Sequence, residues 1–210
     1  MFICKFEGTR DTIISDFVKQ KLFGKQILEL GCSSGDRTKL FYDVGQVTAV
    51  DIVNKISSQR KKRFNLFLAD ATALPFQDES FDGVLSFDVV EHILDDQHFV
   101  SEAFRVCKKG GLVVFGTPNR LRLANTLMRI IGKPISYPYY LGPDVIHLRE
   151  YSFEQFDSLC KSNGFVGNCM SIWVGLVGKF NCGLAIFPPS LAFLAQYLLF
   201  IGYKPRKYSV

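Results

Sequence analysis

ILELGCSSGDRT, residues 27–38, runs from a short apolar stretch into a turn that carries Gly31 and Gly35. Glycines there let the backbone turn tightly and approach a ligand, and the next helix is expected to begin near Asp36. Apolar runs at 26–30, 47–50, 65–69, 83–87 and 112–115 continue the theme, alternating with amphipathic stretches as far as Pro118. That alternation is the pattern of an α/β fold, a parallel sheet covered by helices. Three of the four connections read as helical; the fourth, 70–81, contains Pro75 and reads as a loop. In the last helical connection Phe99, Ala103, Phe104, Val106 and Cys107 fall near helical spacing, with Gly110-Gly111 as the expected stop.

In an open α/β sheet, ligands bind at the carboxyl ends of the strands. Asp51 closes VTAVD about twenty residues beyond the glycine turn, the place for a carboxylate that holds ribose hydroxyls and disfavours a 2′-phosphate. Asp70 ends NLFLAD, where a carboxylate accepts from the amino group of an adenine. Ser86-Phe-Asp-Val-Val-Glu-His92 follows the fourth strand. Each also has a purely structural reading: Asp51 and Asp70 as caps of the next turn, Glu29 as a buried strand acid with a local partner. A glycine pair alone fits any mononucleotide-type site. The occurrence of all these residues in order at successive strand ends favours one shared ligand.

Length and composition bound the rest. A chain of 210 residues suits a single domain, here 1–210, and 48% hydrophobic with 21% charged residues argues against disorder. The net charge of +5 permits an anionic partner and selects none. Cys4, Cys32, Cys107, Cys160, Cys169 and Cys182 form no CxxC and no Cys/His cluster of zinc spacing. With no signal-peptide-like run in MFICKFEGTRDT, a reducing cytoplasm is expected.

Beyond Pro118, residues 120–131 read as a basic amphipathic helix and KPISYPYYLGPD, 133–144, as a loop. Ser152-Phe-Glu-Gln155 has capping-box spacing, so a helix is expected from Ser152 to Asn163, stopped by Gly164 and followed by a strand at 165–174. No charged residue falls between Phe180 and Tyr203, long enough on paper for a membrane span of roughly 20 residues. Pro188-Pro189 interrupts it, and a short helix at 190–195 with a strand at Tyr197–Tyr203 is the preferred reading. The same apolar segment, followed by Lys204, Arg206 and Lys207, also suits peripheral membrane contact.

Four blocks, ILELGCSSG, VTAVD, LADATALPFQDESFDGVLSFDVVEHI and RVCKKGGLVVFGTPN, with HLREYSFEQFDSLCKSNGF, span roughly 24–165. In this order they resemble the class I S-adenosylmethionine-dependent methyltransferases, in particular the type 11 group that includes ubiquinone/menaquinone-biosynthesis enzymes. The resemblance implies a three-layer Rossmann-like fold with a mostly parallel seven-stranded sheet, order 3-2-1-4-5-7-6, strand 7 antiparallel. It also implies S-adenosylmethionine as cofactor. Glu29, Gly31, Ser33 and Gly35 match the loop around the methionine moiety, Asp51 the ribose acid and Ile52 the apolar neighbour of adenine. Asp70 and Ala71 match the pair that reads the adenine edge; Ser86 and Phe87 match the lining near the donor methyl. Ser33 departs from the usual middle glycine, and binding is expected to survive if that residue does not need a positive φ.

An acceptor hydroxyl benefits from a general base, and His92 and His147 are the candidates for direct chemistry, beside a packing or hydrogen-bonding role for each. Asp88, Glu91 and His92 stand at i, i+3 and i+4, on one face if the segment is helical. Some quinone O-methyltransferases use a related acidic element for a divalent metal; Asp88 departs from the glutamate found there, and no metal is expected. The segment 119–151, with Arg120, Arg122, Arg129, Tyr137, Tyr139 and Tyr140, is the expected lid over a small-molecule, lipid-linked or glycan acceptor, or else a partner-binding surface. The rivals are an RNA methyltransferase and a catalytically degenerate S-adenosylmethionine-binding protein. The basic run at 59–63 reads as a solvated helix face rather than a nucleic-acid site.

Overall fold

β2 (Gln26–Leu30) pairs in parallel with β3 (Gln46–Asp51), which pairs in parallel with β4 (Asn65–Leu68). On its other side β2 pairs with β5 (Phe81–Phe87), and β5 with β6 (Cys107–Pro118), again in parallel. The computed structural model describes residues 2–4, 10–57, 63–142, 145–174, 184–187 and 189–206. β11 (Tyr197–Tyr203) lies antiparallel between β6 and β9 (Val166–Val174), so the expected order and the single reversed strand are both present. The sheet is wider than the seven strands implied. β10 (Leu184–Phe187) and β1 (Phe2–Cys4) add antiparallel strands beyond β9 and bring it to nine. A separate hairpin joins β7 (Tyr139–Gly142) to β8 (Val145–His147).

Alternate residues of each strand feed two cores, as the period of two requires. Leu28, Leu30, Val84, Leu198 and Phe200 face α2 (Asp96–Val106) and α4 (Phe153–Ser162), meeting Phe99, Val100, Ala103, Phe156 and Leu159. Ile27, Val47, Leu85, Tyr197 and Leu199 face the opposite layer, where α1 (Arg10–Leu22) contributes Ile14, Val18 and Leu22. Burial of those three is worth roughly 1.5–3 kcal/mol each, enough to fix a helix that would be marginal alone. α1 crosses β5 at Gly83, where a Cβ would lie 2.2 Å from Leu22 Cδ1.

The helices between the early strands are slighter than expected. No helix begins at Asp36; the connection to β3 holds one 3-10 turn, Thr38–Phe41, while Arg37 before it reaches away to Phe87 O and Asp88. Residues 54–57 have no regular structure, and most of the basic run at 59–63 lies outside the described residues. α2 ends at Val106, not at Gly110-Gly111, because Cys107 is already extended and paired with Phe81. Past β6, α3 (Leu123–Ile130) occupies the middle of the expected basic helix. At Ser152 both halves of the capping box form. The tail follows the strand reading: Pro189–Leu194 is a 3-10 turn, and Leu198 and Phe200 of β11 are fully buried. Among the described residues no helix is long and apolar enough to cross a membrane.

Candidate active site

At the carboxyl end of β2 the chain needs backbone that ordinary residues avoid. Gly31, Ser33 and Gly35 have φ of 75°, 47° and 75°. Ser33 therefore does need the positive φ on which its tolerance depended, at a cost of roughly 1–2 kcal/mol that glycine would escape. Gly31 has a second reason to be glycine: a Cβ there would meet Val89 Cγ2 at 2.1 Å. The turn is latched to β3, since Gly31 N donates to Val50 O at 2.8 Å and Ser33 N to Asp51 Oδ2 at 2.7 Å.

Asp51 thus holds the loop itself. Its second oxygen accepts from Val53 N at 3.0 Å, and a carboxylate with about four acceptor positions retains capacity for a diol. Beside it Ile52 is 73% exposed, an apolar side chain at the rim of the sheet. Asp70 Oδ1 accepts from the Thr72 amide and hydroxyl, both at 2.8 Å, which lowers its pKa and makes it the cap of its own turn. Ala71 is buried next to it. Glu29 is buried with Oε2 lacking a hydrogen-bond partner among the described residues, and burial pushes its pKa up to about 7. Ser86 and Phe87 are buried too; the Phe87 ring packs on Phe41 and under the Arg37 guanidinium, so it is core as much as lining.

These residues fit S-adenosylmethionine. A left-handed loop brings bare backbone to the ligand, the orphaned Glu29 oxygen suits an ammonium, Asp51 a ribose and Ile52 an adenine face.

The far side of β5 is organised by carboxylates. Asp88, left-handed at φ 57°, takes Arg37 Nη2 at 2.9 Å, and the helical face it was to share with Glu91 and His92 does not form. Val90–His92 is instead a single 3-10 turn. Glu91 is wholly buried; Thr117 Oγ1 donates to its Oε2 at 3.0 Å, and burial, reinforced by the charge of Asp88, pushes its pKa up to about 8. His92 Nδ1 lies 2.6 Å from Ile146 O, and its ring meets that of His147 edge-on, centroids 4.8 Å apart. The structure thus brings the two sequence candidates together.

Glu150, missed in the sequence, gathers the segment 119–151. Arg122, Tyr137 and Asn125 donate to its Oε2 at 2.6, 2.8 and 3.1 Å, and Oε1 lies 3.2 Å from His147 Nδ1. Burial would raise its pKa, but the Arg122 and Tyr137 hydrogen bonds outweigh that and hold it below the usual range. His147 moves down because its burial outweighs the Glu150 bond. Arg120 stacks on Tyr137, and Arg149 is paired with Asp96 at 2.7 Å. Tyr139 and Tyr140 are 39% and 67% exposed. A separate cleft of about 620 Å³, lined by Asp96, Arg120, Arg149, Glu150 and Tyr151, shares no residue with the glycine loop.

The sheet order, with β11 as the reversed strand before β9, is that of the Rossmann-like methyltransferase fold. A family model described as a methyltransferase domain matches residues 28–115. The Mycolicibacterium smegmatis protein named "Probable S-adenosylmethionine-dependent methyltransferase" is 32% identical over 160 residues, 74% of this chain and 58% of that protein. The chain therefore spans under two thirds of the length of that relative. Among solved structures, the Burkholderia thailandensis 1,6-didemethyltoxoflavin-N1-methyltransferase with bound S-adenosylhomocysteine superposes with a TM-score of 0.64 at 15% identity, covering 94% of this chain and 79% of that one. The [4+2]-cyclase SpnF superposes with a TM-score of 0.67 at 16% identity, covering 93% and 82%. Over residues 28–115 the chain is thus similar to methyltransferase domains, and over 160 residues to a relative named for S-adenosylmethionine-dependent methyl transfer.

Proposed function

We propose that this chain transfers a methyl group from S-adenosylmethionine to an oxygen of a small or lipid-linked acceptor held under residues 119–151. The donor supplies an activated sulfonium methyl, so no nucleophilic side chain is required and positioning with water exclusion carries much of the rate. In this reading Glu29, Gly31, Ser33 and Gly35 hold the methionine end, Asp51 and Ile52 the ribose and adenine, and Asp70 and Ala71 the adenine edge. Ser86 and Phe87 back the reacting methyl. His92 and His147 are the polar groups offered to the acceptor.

The observation that carries the donor half is the left-handed Gly31–Ser33–Gly35 turn latched to Asp51. The acceptor half rests on how the arginines are used. Arg37, Arg122 and Arg149 are committed to Asp88, Glu150 and Asp96, and Arg120 to Tyr137. That leaves no convergent cationic surface beside the loop among these four, which disfavours an RNA acceptor. The test is a screen with labelled donor against quinone, lipid, glycan and RNA extracts, beside calorimetric titration of the donor. Label is expected in a small-molecule or lipid fraction. Label in RNA alone would overturn the acceptor assignment, and donor binding with no transfer at all would leave a binding protein.

A further inference from the structure

We propose that Glu91, His92 and His147 form a binding site for one divalent first-row transition-metal ion, with open positions for an oxygen ligand. The three residues come from two places: Glu91 and His92 from the 3-10 turn after β5, His147 from the end of β8. One ligand-type atom from each lies within 4.8 Å of the others. Nitrogen and oxygen ligands sit about 2.0–2.2 Å from such an ion, so the set must draw in by roughly 1 Å, within the reach of side-chain rotation.

What separates this group from an ordinary buried polar cluster is how each member is already held. A metal-ligating imidazole almost always gives its other ring nitrogen to a carbonyl or carboxylate, which fixes its tautomer and orientation. Both histidines satisfy that condition. His92 Nδ1 is 2.6 Å from Ile146 O and His147 Nδ1 is 3.2 Å from Glu150 Oε1, which leaves each Nε2 lone pair to act as ligand. Glu91 is arranged in the same way. Thr117 anchors Oε2, whereas Oε1 is fully buried and has no hydrogen-bond partner among the described residues. An unmatched buried carboxylate oxygen is costly, and a cation would satisfy it.

Two imidazoles and one carboxylate with open positions form a donor set used by catalytic zinc and non-haem iron sites. The set differs from the acidic element legible in the sequence, because Asp88 is engaged by Arg37 and His147 takes the third position. Metal binding here does not depend on the methyl-transfer reading. If both hold, an acceptor hydroxyl or enol oxygen would complete the coordination and lose its proton more readily.

The test uses chelator-treated protein and the metal alone, without donor or acceptor. Titration with Co2+ should give one bound ion per chain with the visible spectrum of nitrogen and oxygen ligation, displaceable by Zn2+. Absence of binding by the unmodified chain would overturn the proposal, as would a thiolate-to-cobalt charge-transfer band, which would move the ion to the cysteines. Glu91→Gln keeps the acceptor for Thr117 and should weaken binding at least tenfold, and His147→Gln should do the same. Glu150→Gln, which leaves the three ligands in place but loosens the anchor of His147 together with the charge pairing of Arg122, should cost about 10–100-fold. Unfolding curves with and without Zn2+ give a second readout: the metal should raise the midpoint of the unmodified chain and not of the Glu91 or His147 variants. Equal midpoint gains in all of them would place the ion elsewhere.

Discussion

The two sides of β5 solve the problem of holding a ligand in opposite ways. On the β2 side the work is done by backbone: a left-handed turn, amides donated to Val50 and Asp51, and side chains kept out at Gly31. On the β6 side it is done by side chains, with Arg122, Asn125, Tyr137 and His147 drawn from a stretch of 26 residues onto one buried carboxylate, Glu150. Backbone geometry is indifferent to most neighbouring residues and suits a cofactor that never changes. A side-chain network can be rewired by a few substitutions, which suits the end of the site that must choose an acceptor.

If the division is real, the largest effect comes from removing the hub. Glu150→Ala leaves Arg122 and Tyr137 without their partner, and we expect a loss of about 3 kcal/mol in the free energy of unfolding, read from urea curves. Donor affinity should stay within about twofold; a parallel collapse of donor binding would mean that the two sides form one unit. Asp51→Ala attacks the other side. It should weaken donor binding by about 1.5–3 kcal/mol in a calorimetric titration while the protein stays folded. Unchanged affinity would remove Asp51 from the site.

Smaller effects sharpen the contrast. Replacing Tyr139 and Tyr140 together by alanine should lower kcat/KM for the acceptor by about tenfold, near 1.4 kcal/mol, with the donor dissociation constant unmoved. An equal loss for both ligands would make the hairpin a brace for the cofactor. Ser33→Gly is the gentlest and has the opposite sign. Relief of the left-handed serine, less the extra freedom of glycine in the unfolded chain, should raise stability by about 0.5–1 kcal/mol. A destabilised variant would show that the Ser33 side chain makes a contact worth more than its strain.

The backbone side was legible because its signals are local. Gly31, Gly35 and Asp51 announce turns and strand ends within a few residues of themselves, and β11 was bounded by an uncharged run and a proline pair. The side-chain side was not. Glu150 stands within HLREYS, but nothing near it reveals that partners at 122, 125 and 137 converge there. Arg37 reaches Asp88 across 51 positions. In α1 Ile14, Val18 and Leu22 recur every four residues, but the burial of that stripe depends on β5 offering a glycine about sixty positions further on, which no local pattern shows. The edge strands β10 and β1 pair residues about 180 apart, a register that no local pattern encodes.

β11 sits between β6 and β9, hydrogen-bonded to both along all seven of its residues. During synthesis this leaves a slot in the middle of the sheet: the donor-binding half can assemble once β6 has emerged, yet two strand edges stay unpaired until residue 203 is free of the ribosome. Exposed edges of that kind recruit other chains, so the nascent protein should lean on chaperones until β11 has emerged. Late closure also ranks the two halves of the sheet in time, with the strands around the Gly31 turn assembled first and β9 joined to them only when β11 inserts.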